Sequence, residues 1–144
     1  MLLLAVQAPL SLGQETAEAK PVPALYLAAK SGDLRAVRAL IAEGHDVNAS
    51  NAAGRSALMS AVYFRNRGVV RELLTEGANV DDADRQGRTA LMIAVVNMDM
   101  STVELLLEAG ASVAVEDKAK NTPITLAEKT KNKKLIKLLE KSKG

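Results

Sequence analysis

Three glycines, Gly44, Gly77 and Gly110, stand 33 residues apart, and each closes a Leu-rich phrase: "VRALIAEGHDVNA", "VRELLTEGANVDD" and "VELLLEAGASVAV". A second phrase keeps the same spacing, as "GRSALMSAV" from Gly54, "GRTALMIAV" from Gly87 and "KNTPITLAE" from Lys120. No insertion or deletion breaks this register through to the C-terminus. A fixed period of this kind marks a repeat architecture, in which one unit cannot bury its apolar face alone but stacked neighbours can. It limits the possible folds more tightly than any bulk property of the chain.

Within a unit the apolar spacing is helical. Leu58, Ala61 and Val62 lie at i, i+3 and i+4, as do Val70, Leu73 and Leu74, so each unit carries two short amphipathic helices. Gly44, Gly77 and Gly110 follow the second helix, where a residue of positive φ ends a helix. The connecting stretches "HDVNASNAAGR", "ANVDDADRQGR" and "ASVAVEDKAKN" are rich in Asn, Asp, Gly and Ala and predict turns or hairpin loops.

From about Pro23 onward the phrases "ALYLAAKSGD", "GRTALMIA", "NTPITLA", "VELLLEAGA" and "EGHDVNA" resemble the ankyrin-repeat family, in the family's order and at its period. The resemblance implies an all-α solenoid of four stacked helix-turn-helix units, about 18–50, 51–83, 84–116 and 117–144, with the first and last acting as caps. The domain is 21–144. One departure concerns the His of the family's Thr-Pro-Leu-His phrase, replaced here by Tyr26, Met59, Met92 and Thr125. Apolar packing is expected to stand in for the polar anchoring of that His.

Composition narrows the chemistry. A chain of 144 residues with 48% hydrophobic and 25% charged residues is one folded domain. A net charge of +2 is too small to point to nucleic acid or a membrane surface. With no Cys there is no disulfide, thiolate nucleophile or zinc-thiolate site. The single His, His45, follows Gly44 and reads as a helix-end residue rather than a catalytic base. Asp81, Asp82 and Asp84 lack the closing Glu of a calcium loop and read as a solvated tip offset by Arg85 and Arg88. No phosphate-binding Gly-rich loop or nucleophile elbow is present. These features predict a protein that is not an enzyme and needs no cofactor or metal. From Glu128 to Gly144 seven Lys face two Glu, a net of +5 that leaves −3 for the rest of the chain. That run reads as the polar outer face of an end cap.

The first residues, "MLLLAVQAPLSLGQETAEAK", change composition abruptly, with no charge before Glu15 and an apolar stretch too short to span a bilayer. Residues 1–20 read as a secretory signal peptide without its basic leader, or as an N-terminal extension covering the first unit. Export implies a bacterial periplasmic or secreted protein; an uncleaved extension implies a cytoplasmic adaptor.

What remains is recognition of another protein. The resemblance implies binding at a concave face made by loop tips and the outward positions of each first helix. Taking Leu58 as zero, Tyr63 falls near about +140° and Phe64 near about −120°, on the side opposite the buried stripe. These rings are two of the chain's three aromatic residues. The expected partner surface is Tyr63, Phe64, Val96, Asn97 and Met98, rimmed by Arg55, Arg65, Arg85, Gln86 and Arg88. The expected molecule is a monomer when free. It blocks a client enzyme such as a cell-wall peptidase, as an inhibitor or self-protection factor. A scaffold or chaperone-like factor supporting a client, such as a peroxide-removing enzyme, is the alternative.

Overall fold

Short polar residues cap six of the eight helix starts, at positions the 33-residue period repeats. Ser56, Thr89 and Thr122 accept the backbone N–H three residues on, at 3.3, 3.4 and 3.2 Å, opening the first helix of the last three units. Asp33, Asp99 and Asn132 do the same for second helices. The computed structural model describes residues 21–143 and places eight helices in them. They are α1 (Ala24–Ser31), α2 (Leu34–Ala42), α3 (Ala57–Tyr63), α4 (Arg67–Thr75), α5 (Ala90–Val96), α6 (Met100–Glu108), α7 (Pro123–Thr130) and α8 (Lys133–Lys141). The reading of residues 1–20 as a signal or extension lies outside the described residues.

The helices form four pairs stacked side by side. First helices α1, α3, α5 and α7 pack in sequence on one another, as do second helices α2, α4 and α6. First helices approach more closely than second ones, which curves the stack with the first helices inside. Ala28, Ala61, Ala94 and Ala127, one per unit, are buried and permit that approach. Leu25, Leu58, Leu91, Val37, Leu73, Leu106, Leu135 and Leu139 fill the space between pairs. Burying such a side chain contributes about 1.5–3 kcal/mol, so the core exists only where units stack.

Both helices of each of the first three units use the same stop. His45 N–H bonds Leu40 O while Gly44 N–H bonds Ile41 O, and the pairs Ala78–Leu73 with Gly77–Leu74, and Ala111–Leu106 with Gly110–Leu107, repeat it. Gly44, Gly77 and Gly110 take φ of 90°, 85° and 90° there. After the first helices the equivalent positive-φ residue is Gly32, then Arg65 at 60°, Met98 at 53° and Lys131 at 58°.

Loops join neighbouring units directly. Arg85 N–H bonds Ala53 O at 3.0 Å and Lys118 N–H bonds Gln86 O at 2.9 Å. The two contacts are one period apart. A Cβ on Gly87 would lie 3.0 Å from Asp117 Cα, so the loops close on one another because that residue has no side chain. Among the described residues the hairpin loops show no strand, only an isolated bridge from Ser50 to Ser56.

Met59 and Met92 stand 1% exposed, so apolar packing does replace the family's His in the middle units. The last unit differs. Thr125 Oγ1 accepts Thr122 N–H at 2.8 Å while Thr122 Oγ1 accepts from Thr125, a reciprocal cap.

The acidic loop corrects the expectation of a solvated tip. Asp84 is buried, and its Oδ1 accepts Gln86 and Arg88 N–H at 2.9 and 3.0 Å. A short carboxylate can bond its own backbone two and four residues on, so Asp84 organises the loop instead of decorating it. The last cap carries Lys133, Lys134, Lys137 and Lys141 outward while Leu135 and Leu139 face in. Among the described residues, no helix is long and apolar enough to cross a membrane.

Candidate partner-binding groove

The first helices leave a groove of about 300 Å³ along their inner side. Its floor is Met59 and Ser60 from α3, Met92 and Ile93 from α5, and Leu126 from α7. Tyr26 and Lys30 from α1 and Tyr63, Phe64 and Val96 make its walls, with Arg55, Arg88 and Asp117 from the loops along one edge. The floor is apolar because its residues sit on helical turns that also face the core. Charge is confined to the ends and the loop edge.

Tyr63 and Phe64 meet edge to face, ring centres 5.0 Å apart and planes at 72°. They remain 59% and 43% exposed, so neither fills the cleft between units. Lys30 Nζ lies 5.6 Å from the centre of the Phe64 ring, holding an ammonium at the groove wall by cation–π attraction. Val96, 60% exposed, extends the same apolar row into the next unit.

The edge is built on carboxylates. Arg88 donates through Nε and Nη2 to Asp84 Oδ2 at 3.0 and 2.9 Å, and Arg55 Nε lies 3.8 Å from the same oxygen. Both guanidiniums keep about two fifths of their side-chain surface exposed, 43% for Arg55 and 40% for Arg88. Asp117 accepts from the Ala119 and Asn121 N–H groups and from the Asn121 amide, and these bonds hold its carboxyl below the ordinary value.

The structure thus gathers Tyr63, Phe64, Val96, Asn97, Arg55 and Arg88 of the expected surface around one groove. Asn97 is less free than expected. Its Nδ2 donates to Val62 O and Tyr63 O, both at 3.3 Å, tying α5 to the end of α3. Arg65, Met98, Arg85 and Gln86 do not line the groove. Arg65 occupies the left-handed turn and donates to Asn97 O at 2.6 Å; Met98 takes the same turn one unit on. Arg85 and Gln86 are exposed on the loop whose backbone links units two, three and four. The thioethers that do line it, Met59 and Met92, and the floor residues Ser60 and Ile93 were hidden in the sequence by their helical phase. They fall beside the buried stripe, where core and groove floor look alike.

Among the described residues no group of three His, Cys, Asp or Glu side chains is placed to hold a metal. No curated protein sequence matches the chain. Ankyrin repeats, in three copies, match residues 25–117, which spans units one to three and the start of the fourth. With the 33-residue period realised as four stacked helix pairs, the chain belongs to the ankyrin-repeat family, a family of protein-binding modules.

Proposed function

We propose that the chain is a non-catalytic periplasmic inhibitor or self-protection factor that docks a client enzyme in the first-helix groove and blocks its active-site entrance. A cell-wall peptidase is the client class favoured by that compartment. The observation that carries the docking reading is the exposed Tyr63–Phe64 pair, set edge to face on the wall of a groove with an apolar floor. Aromatic side chains beside Arg are what binding hot spots concentrate, and a ring already held by its neighbour loses little freedom on docking. The apolar, uncharged residues 1–13 support export.

The test has two stages. Wild-type protein and a Tyr63→Ala, Phe64→Ala variant are used to capture partners from a periplasmic extract, and the captured enzyme is assayed with added protein. Stoichiometric loss of turnover with wild type, absent with the variant, is the expected result. Equal capture by both proteins, or turnover unchanged by wild type, overturns the reading.

A further inference from the structure

We propose that the groove takes an acidic segment of its partner, with one bulky apolar side chain seated over Ser60 and a flanking carboxylate set against Lys30, Arg55 and Arg88. This rests on the docking role given above and specifies the chemistry of what docks.

One period either side of Ser60 the equivalent residues are Leu27 and Ile93, and two periods on toward the C-terminus stands Leu126. Three units put a branched aliphatic side chain at this point of the first helix. The second unit puts a hydroxymethyl group there, leaving a notch in the floor walled by Tyr63, Phe64, Ile93 and Val96. Ser60 is 3% exposed, and among the described residues its Oγ is the buried side-chain atom with no hydrogen-bond partner. The space that the missing Leu or Ile side chain would fill is open to a partner's apolar side chain.

Charge selects the sequence around that side chain. Lys30, Arg55 and Arg88 face the groove. Asp84 takes up part of the charge of Arg88 and Arg55, and Asp117 is held by Asn121 and Ala119, so three cations stand against two carboxylates, the excess carried by Lys30 and the exposed parts of the two guanidiniums. Among the described residues, exposed Glu43, Glu76, Glu104 and Glu108 sit on or beside second helices, exposed Glu116 and Glu128 belong to the last loop and α7, and none of these six lines the groove. An acidic segment is drawn to the groove, and a basic one is repelled.

The test pans the full chain against a random linear-peptide phage library and measures one enriched peptide by titration. The expected motif is Leu, Met or Phe next to Asp or Glu. Its affinity falls about tenfold with Ser60→Leu, which installs the residue the first and last units carry, and about as much with Lys30→Glu. It also weakens as salt is added. If Ser60→Leu melts below wild type, Val96→Glu on the exposed wall serves in its place, with the same loss expected. Basic or uncharged peptides that these changes release overturn the acidic chemistry and leave groove docking standing. Peptides insensitive to all three changes overturn both readings, and a library yielding no motif overturns the segment proposal.

Discussion

Arg88 lays its guanidinium on the buried carboxylate of Asp84, Nε at 3.0 Å and Nη2 at 2.9 Å from one oxygen, while the other oxygen holds two backbone amides of the same loop. The pair joins a structural element, the loop, to a side chain at the groove edge. Asp84→Ala strands two amides and the guanidinium, and the expected loss is about 2–3 kcal/mol of stability. Arg88→Ala leaves Asp84 its amides and Arg55, and the expected loss is about 1 kcal/mol. Urea titrations of both variants check the order; equal losses would mean that the ion pair, not the amides, organises the loop.

Removing the rings separates folding from binding. Tyr63 and Phe64 are exposed enough that the double change to Ala is expected to lower stability by no more than about 1 kcal/mol. Partner affinity is expected to fall by at least about 2 kcal/mol. Thermal melts beside binding titrations decide this, and a large drop in melting temperature would make the rings core residues.

Met98 holds φ of 53° with its side chain 54% exposed. A side chain in the left-handed region costs about 1–2 kcal/mol, and the equivalent turn after α1 uses Gly32. Met98→Gly is expected to stabilise the fold by roughly 0.5 kcal/mol, the relief being partly offset by the greater freedom of unfolded glycine. Because Met98 does not line the groove, partner affinity should not change. A loss of affinity with unchanged stability would return Met98 to the binding surface.

Acid acts on Asp117. Its carboxyl is held below the ordinary value of 3.8, first by the Asn121 side chain and then by the Asn121 backbone N–H. The unfolded chain therefore takes up this proton before the folded one does, so the stabilisation is present above about pH 4 and is lost as pH falls through the folded value. Asp117→Asn should lie below wild type in stability at neutral pH, with the gap closing in acid. A gap that stays constant with pH would assign the effect to loop geometry rather than to charge.

The period alone determined the helix pairs, their number and their helix-ending glycines, because any unit of this length must repeat the same caps and the same apolar faces to stack. Gly44, Gly77 and Gly110 and the outward phase of Tyr63 and Phe64 were legible for that reason. Only the tertiary structure decided the groove itself. Helical phase gives the direction of a side chain around its own axis but not what the next unit brings beside it. It could not show that Asp84 is buried under Arg88, that Arg65 and Met98 take left-handed turns outside the groove lining, or that Asn97 is held by the helix before it. Nor could it mark Ser60. In sequence Ser60 is a small residue beside the core, and among Leu27, Ile93 and Leu126 it becomes a notch.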